Sequence, residues 1–298
     1  MSKFQRSSSL FVVGVKDFRW TPELASFLKS FPVSGLAMFN SPFDSPDNIW
    51  ADKAAALEAV HHFMSKASEN VRFVAADQEG GRVRRLRGNF VPLPSAHIMA
   101  ENSRRDLSRV RRIYEVAAIQ MKLSNVRVNF APVCDIRYPD SNIVVGDRSF
   151  GAADDVRRMA KLFCQAFENN GVHTTLKHFP GHGPSKLDSH ERKAVLFKSK
   201  RELMKEDTIL FSQLAEGASA IMTAHIGFEG EEGLPFSINA NLFNDFKDHL
   251  PPNKILFTDD VQSMKAVADL KPWVEAMKLP YDFVLLCGTL DQAASSIE

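Results

Sequence analysis

Residues 154–178, DDVRRMAKLFCQAFENNGVHTTLKH, contain one full turn of the pattern that decides the fold: an amphipathic stretch, a stop, a short strand-type run and a polar pair. Asp154 and Asp155 favour a helix start over 154–170, because carboxylates there meet the positive end of the helix dipole. Asn169-Asn170-Gly171 supplies the C-terminal stop. His173–Leu176 then reads as a strand, with Lys177 and His178 where it ends. The same alternation runs outward in both directions. Strand-type runs are expected at Leu10–Val15, Gly35–Phe39, Val71–Ala76, Val126–Phe130, Ala218–Thr223, Ile255–Thr258 and Phe283–Leu286, so that eight are present in all. Helices are expected at Pro22–Ser30, Ile49–Lys66, Leu107–Leu123, Arg201–Ala215 and Ala240–His249, with weaker signals over Val261–Lys271 and after the last strand.

Strands alternating with helices are the signature of a parallel α/β fold. Eight of them predict a single-domain (β/α)8 TIM-type barrel over residues 1–298, with a doubly wound sheet as the alternative. An α/β barrel alone takes about 250 residues, and no linker or low-complexity tract divides this chain. The barrel reading has a corollary: polar residues should gather where strands end. Asp77 follows VRFVAA, Asp135 follows VNFAPVC, Lys177 and His178 follow HTTL, His225 follows AIMTA and Asp259 follows ILFT.

Composition excludes several classes of function. With 44% hydrophobic and 24% charged residues the chain can bury a full core. Thirty-seven Lys and Arg against 36 Asp and Glu leave a formal charge of +1, so no global field draws nucleic acid or an anionic membrane. Cys134, Cys164 and Cys287 are odd in number and far apart, which fits neither a disulfide framework nor a Cys-based zinc site. They read as small core residues in a reducing compartment. The run Leu10–Val15 is interrupted by Lys16 and Asp17 before a signal peptide is complete, and no run approaches a membrane span of about 18 residues. A cytoplasmic protein is expected, with no nucleic-acid or membrane partner. As a monomer it needs no partner to complete its core.

Four clusters carry chemistry. KHFPGHGPSKLDSH, residues 177–190, holds three of the nine histidines, and its Pro and Gly residues make it a shaped loop rather than a helix. Asp188 and His190 could form a carboxylate–imidazole dyad in which the carboxylate raises the imidazole pKa and fixes its tautomer, so that the ring can donate a proton near neutral pH. In DQEGGRVRR, residues 77–85, Asp77 could accept sugar hydroxyls and Arg82 or Arg85 could clamp an oxygen, whereas Arg84 and Arg87 read as a solvated turn. In ILFTDDVQSM, residues 255–264, an apolar strand delivers two acids to its end, one of which can serve as a nucleophile; Met264 reads as wall or core. In GDRSF, residues 146–150, Arg148 is a candidate clamp, while Asp135 upstream orders the site through hydrogen bonds.

Taken in order, DQEGGRV, NFAPVCDI, GDRSF, KHFPGHG, DSH, MTAH and TDDVQSM resemble the family 3 glycoside hydrolases, and within them the bacterial cytoplasmic β-N-acetylhexosaminidases of peptidoglycan recycling. The resemblance implies a barrel that removes terminal β-linked N-acetylglucosamine with retention, without metal or cofactor. Its substrate would be a small carbohydrate, a muropeptide containing anhydro-N-acetylmuramic acid. Asp259 matches the nucleophile, His190 the general acid/base and Asp188 its dyad partner. Asp77, Arg85, Arg148, Lys177 and His178 match the sugar-holding positions, and Asp260 has a supporting role. Pro184 and Ser185 depart from the family's usual acidic or small residue and Thr, and LAMFNSPFDSP, residues 36–46, departs from its second-strand rim. Competing readings are a β-glucosidase or glycoside phosphorylase, a metal-dependent barrel hydrolase using His178, His182 and His225, and a non-catalytic sugar-binding protein. The metal reading lacks a His-x-His pair at the first strand.

Overall fold

A computed structural model describes residues 8–16, 18–39, 53–88, 90–139, 146–185, 194–229, 233–262 and 270–298, with the backbone alone over 53–57. Apart from His173–Leu176, the expected strands are largely apolar on both faces, as suits strands covered by helices outside and side chains inside. Eight of them form a closed barrel: β1 (Phe11–Val15), β2 (Gly35–Met38), β3 (Phe73–Ala76), β4 (Val128–Asn129), β5 (His173–Phe179), β6 (Ala220–Thr223), β7 (Ile255–Asp260) and β8 (Phe283–Leu286). Each pairs in parallel with its neighbour in sequence, and β8 closes onto β1. The closure excludes the doubly wound sheet. Every expected strand is present and differs only at its ends; β5 and β7 run further than expected, through the polar residues themselves.

Side chains alternate inward and outward along each strand. Val12, Ala37, Ala75, Phe130, Met222, Phe257 and Leu285 belong to the inner cluster, while Phe11, Val13, Leu36, Ile221 and Val284 join the shell beneath the helices. Phe73, Phe130, Phe257 and Phe283 pack with ring centroids 5.1 to 6.3 Å apart. The barrel axis is therefore filled by aromatic rings, and space for a ligand remains only beyond them.

Helices Pro22–Ser30 and Leu107–Leu123 stand where expected. Thr21 caps the first by accepting from the Leu24 amide, with Pro22 at the position where a missing N–H costs nothing. Ala153–Glu168 buries Val156, Met159, Ala160, Phe163 and Phe167, a stripe at helical spacing. The expected helix Ile49–Lys66 is observed as Lys53–Asn70, residues 49–52 lying outside the described residues. Arg201–Ala215 is not one regular helix: Lys200–Leu203 passes through a π turn, Met204–Thr208, into Ile209–Leu214. Of the weaker expectation Val261–Lys271, residues 263–269 lie outside the described residues. Among the described residues no helix is long and apolar enough to cross a membrane.

Candidate active site

Beyond the aromatic rings, the C-terminal strand ends enclose a cavity of about 140 Å³. Asp77, Arg85, Arg148, Lys177, His178 and Asp259 supply its polar lining, and Phe39, Phe130, Met222, Leu285 and Cys287 are among its apolar walls. Local structure explains how each arrives. After β3 the strand Gln78–Gly80 doubles back against Val83–Arg84, and the Gln78 side chain clamps the Leu86 backbone at both groups, each at 3.0 Å. Gly80 is required in this turn: its φ is +119°, and a Cβ would lie 2.1 Å from the Pro94 carbonyl oxygen. The hairpin returns Arg85 to Asp77, whose carbonyl accepts from the Arg85 amide at 3.1 Å. Arg84 and Arg87 donate to backbone carbonyls of their own turn, and Arg82 faces Asp147 in an exposed pair.

Strand β5 loses regular register between Leu176 and Phe179. Lys177 and His178, consecutive residues that strict alternation would send to opposite faces, consequently both line the cavity. The loop that follows is packed tightly: a Cβ on Gly183 would lie 2.0 Å from the Ile136 carbonyl oxygen. Gly183→Ala is expected to cost about 1–3 kcal/mol, the usual penalty of forced overpacking. Thermal denaturation checks this, and an unchanged Tm would refute the close approach.

The charged groups form a buried network. Lys177 Nζ lies 2.7 Å from Asp77 Oδ1 and 2.6 Å from Glu79 Oε1. Arg148 grips both oxygens of Glu79 at 2.8 Å, and Arg85 stands 3.6 Å from Asp77. Burial opposes ionisation of Glu79, but Arg148 and Lys177 outweigh it and hold the carboxyl well below the usual range. The same competition runs in reverse at Lys177, where burial disfavours the ammonium and Asp77 with Glu79 raises its pKa. Glu79, Lys177 and Arg148 are thus charged at neutral pH and held in place, which is the condition for a preorganised polar site.

Asp135 is completely buried and orders the opposite wall. Its carboxylate lies 2.7 Å from His178 Nδ1 and accepts the His182 amide at 2.7 Å and the His178 amide at 3.3 Å. Burial works against its charge, yet the two histidines lower its pKa overall. An ionised Asp135 assigns the proton to His178 Nδ1 and leaves Nε2 as the ring's acceptor or donor toward a ligand. Burial lowers the His182 pKa, so that ring is neutral.

At the end of β7 the two acids separate. Asp259 is half-buried and lines the cavity, whereas the Asp260 carboxylate accepts the amides of Gln262 at 3.0 Å and Cys287 at 2.9 Å. His225 pins the same strand end. Its Nε2 donates to the Asp260 carbonyl at 2.9 Å, so Nδ1 accepts from Ser237 Oγ at 2.6 Å. Both His225 nitrogens are therefore engaged within the protein, and among the described residues no three His, Cys, Asp or Glu side chains gather as a metal site. His225 is thereby taken out of the ligand set of the metal-hydrolase reading.

A family model, the N-terminal domain of glycosyl hydrolase family 3, matches residues 7–281. The chain belongs to glycosyl hydrolase family 3. Among its relatives, a protein named beta-hexosaminidase from Actinobacillus pleuropneumoniae serotype 5b is 30% identical over 290 residues, covering 94% of this chain and 81% of the relative. The structure of a family 3 β-N-acetylglucosaminidase from Paenibacillus superposes with a TM-score of 0.85 at 25% identity. That match covers all of this chain and 57% of the Paenibacillus chain. NagZ from Neisseria gonorrhoeae shares the fold, with a TM-score of 0.80 at 23% identity over 96% of this chain and 83% of its own. As a family 3 member the chain is a glycoside hydrolase built on an eight-stranded parallel barrel.

Asp188, His190 and Met264 lie outside the described residues. Asp77, Arg85, Arg148, Lys177, His178 and Asp259 meet at one cavity, with Asp135 behind His178, Asp260 turned onto backbone amides and Arg82 on the exterior. Three features were not foreseen. Glu79 stands inside the quoted DQEGG run, but its role as counter-ion to Lys177 and Arg148 depends on partners far away in sequence. Cys287 is not a core residue like Cys134 and Cys164; it is partly exposed and lines the cavity. Burial, followed by the neighbouring Asp260, Asp77 and Asp259, raises its pKa well above the ordinary thiol value, so it faces the cavity as a neutral thiol. His225 acts through hydrogen bonds on the β7 end, a role that its place after MTA does not reveal.

Proposed function

We propose that this protein is a retaining β-N-acetylhexosaminidase that removes terminal, non-reducing β-linked N-acetylglucosamine from peptidoglycan fragments in the cytoplasm. One observation carries the reading: a half-buried carboxylate, Asp259, shares a single barrel-mouth cavity with the hydrogen-bonding set Asp77, Arg85, Arg148, Lys177 and His178. Relatives named for hexosaminidase activity supply the sugar class.

In this mechanism Asp259 attacks the anomeric carbon while His190 gives its proton to the departing glycosidic oxygen. The new bond joins the sugar to Asp259, and the leaving alcohol carries away the proton. His190 then takes a proton from water, whose oxygen displaces Asp259 and restores the original configuration. Asp188 holds the His190 tautomer and supports the imidazolium. Lys177, Arg148 and His178 hold the sugar hydroxyls with donors whose positions are set by Asp77, Glu79 and Asp135. A neutral imidazole left beside Asp259 adds no second anion near the site.

The test is a comparison of 4-nitrophenyl β-N-acetylglucosaminide with the matching β-glucoside, each with and without phosphate, the first product anomer being read by NMR. Preferential release from the N-acetylglucosaminide, with the β-anomer appearing first and no sugar phosphate, is expected. Preference for the glucoside, or accumulation of sugar 1-phosphate, would replace this specificity with another. Binding of N-acetylglucosamine without turnover would indicate a sugar-binding protein.

A further inference from the structure

The loop after β5 leads to segment 186–193, and the chain on either side of that segment is cross-tied. Ser185 bridges Leu196 in antiparallel fashion, and the Phe197 amide donates to the Pro184 carbonyl at 3.0 Å. Strand Ala194–Leu196 also pairs in parallel with Ile226–Phe228, which follows β6. Immediately beyond stands Lys198, whose side chain is 12% exposed. Its ammonium donates to Asp207 at 2.9 Å, to Glu206 at 2.7 Å and to the Tyr138 hydroxyl, and it lies 4.0 Å from the Tyr138 ring centroid. Tyr138 in turn donates to Asp207 at 3.0 Å.

Asp207 sits on the π turn Met204–Thr208 and is 1% exposed. The turn touches the loop from beneath. A Cβ on Gly181 would lie 2.7 Å from the Asp207 Cβ, and Thr208 Oγ1 donates to the Pro180 carbonyl at 2.9 Å. One cluster therefore links three places: the loop leaving β5, the chain re-entering after residue 193, and Tyr138 beyond Asp135. None of its members lines the cavity that holds Asp259.

We infer that Lys198 is a positioning residue for the proton-transfer step, fixing through Asp207 and Tyr138 the two ends of the segment that contains Asp188 and His190. The inference rests on the acid/base assignment of His190 proposed above. Stability alone does not explain such a cluster, because a buried ion pair replaced by apolar groups of similar volume is often neutral or stabilising. The fixed direction of three hydrogen bonds is what an apolar replacement cannot reproduce.

The double variant Lys198→Met/Asp207→Asn, which leaves no buried unpaired charge because Glu206, the remaining partner, is exposed, tests this beside Lys198→Arg and His190→Ala. The readout is kcat/KM, which reports the first glycosyl transfer, for a β-N-acetylglucosaminyl disaccharide with a poor leaving group and for the 2,4-dinitrophenyl glycoside, which needs little proton donation. We expect the double variant to lose about 10- to 100-fold on the disaccharide, the scale of a small misplacement of a catalytic group. It should lose less than about 2-fold on the dinitrophenyl glycoside, with Tm held, and Lys198→Arg should restore most of the disaccharide rate. Equal losses on both substrates, or none, with His190→Ala still selective, would overturn the positioning role. If His190→Ala shows no selectivity between leaving groups, the acid assignment itself fails and the inference falls with it.

Discussion

Asp259→Ala is expected to lower turnover of an aryl β-N-acetylglucosaminide by about 10⁴-fold or more, the order seen when a covalent nucleophile is removed from an otherwise intact site. The fold should survive. Asp259 is half-buried at the mouth of the barrel, and the neighbouring interactions that hold the strand end belong to Asp260 and His225. The truncation removes a half-buried carboxylate from the cavity wall rather than opening a hole in the core. The variant also leaves room for an external nucleophile. With azide and a 2,4-dinitrophenyl glycoside, the anion should enter on the face vacated by Asp259, displace dinitrophenolate and give the α-glycosyl azide. Trapping and mass mapping of a glycosylated peptide containing Asp259 in the wild type gives an independent reading. Full activity in Asp259→Ala would refute the nucleophile assignment. Loss of activity with a covalent adduct mapped elsewhere would move it.

The barrel is legible in the sequence because its information is local. Most strands are short apolar runs, and five of the eight, β3 to β7, lead into a polar residue that could not be buried without a partner. That is why DDVRRMAKLFCQAFENNGVHTTLKH suffices to set the pattern, and why β5 and β7 extend beyond the expected ends: Lys177, His178 and Asp259 remain in strand conformation while facing the cavity. The helix expected over Arg201–Ala215 fails differently. Its apolar spacing carries no mark of the π turn that brings Asp207 beneath Gly181.

What the sequence hides at the site is pairing across long separations. Arg148 reads as a clamp for substrate, yet its guanidinium first grips Glu79, and Lys177 divides its charge between Asp77 and Glu79. By residue type alone Asp260 and Asp259 are equivalent in the string TDD, and the family resemblance ranks them without a physical reason; the amides of Gln262 and Cys287 supply one, separating a structural acid from a cavity acid. The net charge of +1 likewise conceals a strongly charged but internally balanced cluster.

Glu79→Ala should destabilise the protein by about 3–5 kcal/mol at neutral pH, because Lys177 and Arg148 would be left buried with only Asp77 to share. The Glu79 side chain is 3% exposed, so water cannot readily replace it. Urea denaturation measures the loss, and a change within about 0.5 kcal/mol, the scale of an ordinary surface substitution, would refute it. A pH series adds the sign. The Glu79 pKa is lower in the folded protein than the unfolded value of about 4.3. Between the two values the unfolded chain binds more protons, so stability rises with pH across that window. The contribution is fully present at neutral pH and fades as pH falls below about 5 toward the lower folded value. Glu79→Gln should remove that part of the slope. The double replacement Glu79→Leu/Arg148→Met separates stability from function: exchanging the ion pair for apolar groups should restore much of the lost stability. Activity should remain severely impaired, since the donor that Glu79 aims into the cavity would be gone. Recovery of both together would mean that the Arg148 guanidinium has no part in holding substrate.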